Sequence, residues 1–201
     1  MSKRQGNAGF LLRKLLHMAV VGAFVWAAIS AGRWPALPIA IGCLTLAIAG
    51  EWLRTRWRFF DRMVVGTLGL LMTPEERRTR TTVHLNGATW ALIAVVLALA
   101  VFPMPVSIAA LLVLGIGDPM AALVGRTYGR FRIGKKTAEG SVAFIASSLV
   151  AVLTLTSVPA AIAAGGCAIA TVVEQIPLPG NDNIWITAAA GGGMMLLHWL
   201  L

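Results

Sequence analysis

The sequence predicts an all-α, polytopic transmembrane helix bundle of about seven spans plus one short interfacial or re-entrant helix, forming a single integral membrane domain over residues 1–201. Three observations predict it. Of the 201 residues 58% are hydrophobic and the mean hydropathy is +0.80, too apolar for a water-soluble domain. Apolar blocks of about 20 residues recur along the whole chain, separated by short charged or Pro/Gly-containing stretches. The net charge of +9 sits in those short stretches, which is how membrane topology is marked, and this argues against a nucleic-acid partner.

Taken in order, Lys3, Arg4, Arg13 and Lys14 lie ahead of the first apolar run. Because further apolar blocks follow at once, this run reads as a first span with a basic cytoplasmic anchor rather than a signal peptide cleaved after Ser30. The spans are placed at 16–32, 35–50, 83–102, 106–124, 141–158, 159–174 and 184–201. The shortest need a thin bilayer or snorkelling ends, since ~16 to 18 residues reach only about 24–27 Å. The apolar stretch MVVGTLGLLM, 63–72, is too short to cross and is read as the interfacial or re-entrant helix.

Charge tests this topology. With the N-terminus inside, every one of the 17 Lys and Arg residues except Arg33 falls on the cytoplasmic side, whereas an eighth span at 63–72 would move Arg77, Arg78 and Arg80 outside. The same topology puts all eight acids, Glu51, Asp61, Glu75, Glu76, Asp118, Glu139, Glu174 and Asp182, at cytoplasmic ends or loops. The positive-inside rule concerns Lys and Arg and leaves acids free, so their gathering points to a function at that face. The expectation is an integral membrane protein, of the inner or plasma membrane of a prokaryote, with its N-terminus and active site cytoplasmic. A transporter would place ionisable groups near the midplane and show internal repeats; neither is seen. Cys43 and Cys167 lie within apolar runs as small hydrophobes, with no disulfide or metal spacing.

The densest polar stretch, 115–141, reads GIGDPMAALVGRTYGRFRIGKKTAEGS. Asp118, near the end of a span, is costly unless it holds a cation or pairs with a neighbouring Arg. Gly125 and Gly129, spaced Gly-x-x-x-Gly, suit either close helix packing or approach to a ligand. Lys135, Lys136 and Thr137 offer two ammonium groups and a hydroxyl to phosphate oxygens, with Gly134 and Gly140 leaving backbone N–H groups accessible; the rival reading is a plain positive-inside loop. Lys136 occupies the Ser/Thr position of a P-loop, so this is no Walker motif.

Glu174 precedes the loop QIPLPGNDN, where Asp182 and Asn183 lead into the last span. These are hard oxygen ligands suited to Mg²⁺ carrying a nucleotide, and Asp182 equally suits a helix cap. Arg13 and His17 share one helix face, where His17 reads as a proton acceptor or as a packed interfacial histidine. His84 and Asn86 are weaker candidates of the same kind, and His198 reads as structural.

Taken together, Arg13-Lys14-x-x-His17, Gly117-Asp118-x-x-Ala121 with Gly125 and Gly129, Lys135-Lys136-Thr137-x-Glu139-Gly140-Ser141, and Glu174 followed by Asp182-Asn183 resemble the dolichol kinase, phytol kinase and CTP-dependent diacylglycerol kinase family. The phosphatidate cytidylyltransferases are distant relatives. The resemblance implies transfer of the CTP γ-phosphate to a membrane lipid alcohol, a polyprenol, a phytol-like alcohol or diacylglycerol, at the cytoplasmic face. It implies that Arg13, Lys14, Gly125, Gly129, Lys135, Lys136, Thr137, Glu139, Gly140 and Ser141 bind nucleotide. Asp118, Glu174, Asp182 and Asn183 are implied as ligands of Mg²⁺, and Asp118, His17, Lys136 and Asp182 as catalytic. The alternatives are a cytidylyltransferase-like enzyme making a CDP-lipid and a non-catalytic membrane protein. The C-terminal loop departs from the family in carrying Asn181-Asp182-Asn183 where relatives often have two consecutive aspartates.

Overall fold

A computed structural model describes residues 3–73, 76–77, 83, 85–134 and 136–201, with side chains described from residue 8 onward. Among them the chain folds into nine α-helices and one two-stranded hairpin. They are α1 (Lys3–Ala31), α2 (Arg33–Arg56), α3 (Arg58–Leu68), α4 (Gly87–Val101), α5 (Met104–Leu112), α6 (Asp118–Tyr128), α7 (Ala138–Leu155), α8 (Ala160–Gln175) and α9 (Asp182–Leu200). A π-helical stretch, Val113–Gly117, joins α5 to α6, and strands β1 (Arg132–Ile133) and β2 (Lys136–Thr137) pair antiparallel between α6 and α7.

Each of the seven sequence-placed spans falls on a helix or, for 106–124, on the α5–π–α6 rod. Four segments, Ala8–Ala31, Arg33–Arg56, Met104–Tyr128 and Ala138–Leu155, are long and apolar enough to cross a membrane; Gly87–Val101 and Ala160–Gln175 are shorter apolar helices. The outward faces are apolar as well. Trp26, Leu46, Val150 and Leu196 stand exposed on their helices, a surface that suits lipid and not water. The chain is an integral membrane protein.

The core is organised around α5. Ala109, Ala110, Leu111, Leu112, Val113 and Leu114 are all buried, and α1, α4, α7 and α9 pack around this rod. Small residues let the helices close. A Cβ at Gly115 would meet the Val21 side chain on α1 at 2.9 Å, and one at Gly193 would meet Ile169 on α8 at 2.9 Å. Fully buried Leu99, Leu114, Phe144, Ile186 and Met194 fill the spaces between.

The π-turn has a local cause in Gly-Ile-Gly-Asp-Pro. Pro119 has no N–H for the Gly115 carbonyl and its ring crowds that carbonyl, so the helix widens just ahead of it. Asp118 therefore opens α6 beside a widened turn, partway along a continuous rod rather than in a loop.

The predicted 63–72 element exists with shifted bounds. Helix α3 starts at Arg58 and ends at Leu68, and 69–72 forms turns. Its start is earlier because Asp61 belongs to the inward face, where it meets Arg54 of α2. At 11 residues it is too short to cross a bilayer. The segment after it folds back on α1, since a Cβ at Gly9 would lie 2.7 Å from the Leu70 carbonyl oxygen.

Candidate functional site

The N-terminal ends of α1, α4, α7 and α9 and the C-terminal ends of α2, α6 and α8 all lie at one end of the bundle, and the polar side chains meet there. At the opposite end, Arg33 donates to the Phe102 carbonyl, which joins the start of α2 to the end of α4. Topology alone had separated Arg33 from the other basic residues, and the fold separates it in space.

A cleft of about 430 Å³ lies between α1, α6, the hairpin, α7 and α8. Lys136 stands at its centre: Nζ donates to Glu174 Oε1 at 2.5 Å and to Asp182 Oδ2 at 3.0 Å. Glu174 is buried and Asp182 half-exposed, so one lysine ties the end of α8 to the start of α9. Burial by itself would lower the Lys136 pKa; the hydrogen bond and charge of Glu174, then those of Asp182, outweigh it and hold the ammonium above the ordinary lysine value. A raised lysine pKa means that the pairing is complete below the ordinary value and lost only as pH rises through the higher one, so Lys136 stays cationic at neutral pH.

Thr137 caps α7, its Oγ1 accepting from Gly140 N at 3.2 Å, which aims the α7 N-terminus at the cleft. The glycines set the spacing there. A Cβ on Gly125 would come within 2.7 Å of Thr137 Oγ1, and one on Gly140 within 3.0 Å of the Ala121 carbonyl, so α6 and α7 touch through backbone. Gly125 packs α6 against α7 and also lines the cleft. Gly129 packs against the Thr137 side chain and does not line the cleft.

On the other wall, Lys14 Nζ donates to Asp118 Oδ2 at 2.6 Å. The partner of Asp118 is thus the α1 lysine rather than a neighbouring arginine. Ser141 donates to Thr137 O at 3.3 Å and accepts from Gln175 Nε2, which also donates to Glu174 Oε2 at 2.8 Å.

The structure places several expected residues elsewhere. Glu139 does not line the cleft; its Oε1 accepts from Arg130 N at 2.9 Å and Phe131 N at 3.2 Å, holding the turn that presents the hairpin. Asn183 lies away from Glu174, beside α4, where its Nδ2 donates to Gly87 O at 3.4 Å. Capping of α9 falls to Asn181, whose Oδ1 accepts from Asn183 N at 3.0 Å, and Asp182 is left for Lys136. Arg13 and His17 line a second cavity, and His17 Nε2 lies 3.3 Å from the Leu114 carbonyl. A carbonyl only accepts, so Nε2 carries the hydrogen in this contact. Lys135 and His84 lie outside the described residues. His198 is exposed near the C-terminal end of α9, far along the helix from the cleft.

Sequence reasoning missed Phe10, Arg126, Arg132 and Gln175, which all line the cleft. The Arg126 guanidinium lies 4.4 Å from the centre of the Phe10 ring. The two arginines had been counted only as topology markers, and Phe10 looked like ordinary apolar sequence. Gln175, directly after Glu174 at a helix end, was the one with a local signal.

Among the described residues no three His, Cys, Asp or Glu side chains gather to hold a metal. Glu174 and Asp182 share one lysine, so they converge within reach of a common cation.

Fold and cleft define a polytopic membrane protein with a charged cleft at one end of its bundle. Two curated relatives match the chain, each described as CTP-dependent diacylglycerol kinase 1. The protein from Schizosaccharomyces pombe is 32% identical over 136 residues, covering 65% of this chain and 59% of the relative. The one from Saccharomyces cerevisiae is 30% identical over 94 residues, covering 45% of this chain and 31% of the relative. The chain thus spans about three fifths and one third of these relatives. No family model matches it, and no solved structure matches it at a significant level. The resemblance to CTP-dependent lipid kinases is borne out at that level, with the subfamily only distant.

Proposed function

We propose that the chain is a CTP-dependent lipid kinase that transfers the γ-phosphoryl group of CTP to a membrane lipid alcohol at the cytoplasmic face, with diacylglycerol the first acceptor to test. The observation that carries this is the cleft in which Lys136, Lys14, Arg126 and Arg132 surround the capped N-terminus of α7, next to three carboxylates. Phosphoryl transfer asks a protein mainly for positioning and charge neutralisation, and these groups supply both. The two relatives, by their description, act with CTP on a lipid alcohol.

In this reading Lys136 and the first turn of α7 hold the phosphates. Lys14 moves from Asp118 toward the transferred group, and Asp118 takes the proton of the lipid hydroxyl. The hydroxyl oxygen bonds to the γ-phosphorus as the bond to the β-bridging oxygen breaks, and CDP leaves with that electron pair. Mg²⁺ typically uses one or two carboxylates plus substrate phosphates, so Glu174 and Asp182 fit as its protein ligands, and it would neutralise phosphate charge when bound. His17, on the far side of Asp118 from the cleft, orients the π-turn through Leu114 rather than touching phosphate.

Purified protein in lipid nanodiscs, supplied with dioleoylglycerol, a divalent cation and labelled CTP, tests the proposal. Label from γ-labelled CTP is expected in the lipid. Lipid label arising only from α-labelled CTP would instead mark a CDP-lipid synthase, and no lipid label from either would remove the enzyme reading for this acceptor.

A further inference from the structure

A second cavity, of about 820 Å³, lies beside the cleft between α1, α2, α3 and α4. The two cavities have Lys14, Asp118 and Asp182 in common, so they meet at the Lys14–Asp118 pair. Their walls differ. The cleft is lined by glycines, hydroxyls and cations, whereas Val20, Val64, Leu68, Met72, Trp90 and Ala91 make much of the larger cavity apolar. The buried cation at its polar end is already engaged. Arg54 is bound to Glu51 Oε2 at 3.1 Å, to Asp61 Oδ1 at 3.2 Å and to the Glu76 carbonyl at 3.1 Å, and Asn86 donates to Glu51. A polyphosphate has little to gain there; a long apolar chain with one hydroxyl has much.

We propose that this cavity is the acceptor-lipid site, with the hydroxyl at Asp118 and the apolar chain between α1, α3 and α4. The inference rests on the kinase reading for the identity of the hydroxyl group. The size fits a headgroup and the first part of a chain, being within the range of about 300–1,000 Å³ usual for ligand pockets. Leu16 on α1 and Leu68 on α3 line the cavity and are also 42% and 49% exposed, so it opens sideways between these two helices. Amphipathic α3, anchored through Asp61, is then the outer wall past which the lipid tail leaves. The shared Lys14–Asp118 pair stands where the hydroxyl must meet the transferred phosphate.

Photolabelling tests the site without turnover. The full chain in nanodiscs is irradiated with a diacylglycerol carrying a diazirine on one acyl chain, with and without excess dioleoylglycerol, and crosslinks are located by mass spectrometry. Competed labelling within 64–72 and 85–91 is expected; labelling spread over the outer faces of α2 and α9 and indifferent to competitor overturns the site. Competed labelling at the expected positions in a protein that transfers no γ-label would leave the lipid site standing and sink the kinase reading. As a second test, Ala88→Trp, at an exposed position on α4 that lines the cavity, is expected to raise the KM for the lipid about tenfold or more and leave that for CTP unchanged. An unchanged lipid KM counts against the proposal.

Discussion

At the scale of single residues, the site consists of carboxylates already matched to lysines. Asp118 holds Lys14, and Glu174 with Asp182 holds Lys136. If Asp118 accepts the hydroxyl proton, Asp118→Asn should keep the fold and CTP affinity while lowering kcat by roughly 10²–10⁴-fold, the usual worth of a general base. An unchanged kcat in a folded variant would return Asp118 to a structural ion pair. The motif residues Lys14, Asp118, Lys136, Thr137, Glu174 and Asp182 were legible in the sequence because acids and lysines beside spans demand partners. Which lysine meets which acid was not, because Lys14 and Asp118 are 104 residues apart and only packing of α1 on α6 joins them. The partners of Glu139 and Asn183 were hidden for the same reason: in this fold they pair with backbone, Glu139 with the N–H of Arg130 and Asn183 with the carbonyl of Gly87.

At the scale of elements, hydropathy located the helices well and their ends less well. The rod from Met104 to Tyr128 runs past the predicted 106–124 because Gly117-Asp118-Pro119 widens the helix instead of ending it. Helix α3 was found as an apolar run, yet what fixes it is polar. Arg54, 8% exposed, joins Glu51 and Asp61 and so holds α3 to α2. Removing the cation leaves two buried acids uncompensated, so Arg54→Leu should cost about 3–5 kcal/mol. The expected signs are a lower melting temperature in detergent and faster proteolysis within 57–72; a variant with unchanged melting and cleavage would show that α3 is held by its apolar face alone.

At the scale of the whole molecule, seven helix ends bring their charges to one end of the bundle. If that end is cytoplasmic, a cysteine placed at Asn181, in a Cys43→Ala, Cys167→Ala background, should react with an impermeant maleimide only in inside-out vesicles, and one placed at Trp34 only in right-side-out vesicles. The reverse pattern would turn the protein over. That the charges share one end was readable from their spacing between apolar blocks; the cleft was not, because its shape depends on glycine contacts between α6 and α7.

The Lys136 bridge also bears on which form of nucleotide the protein can receive. Four cations and three carboxylates among the described residues leave the cleft close to electroneutral. A free nucleoside triphosphate carries far more negative charge than such a cleft can offset. On the kinase reading it should therefore bind better together with a divalent cation, for which Glu174 and Asp182 would be the protein ligands, leaving Lys136 for the phosphates. Titration calorimetry should find CTP with Mg²⁺ binding at least about tenfold more tightly than CTP in chelator, a difference of roughly 1.4 kcal/mol; equal affinities would mean that the lysines alone receive the nucleotide.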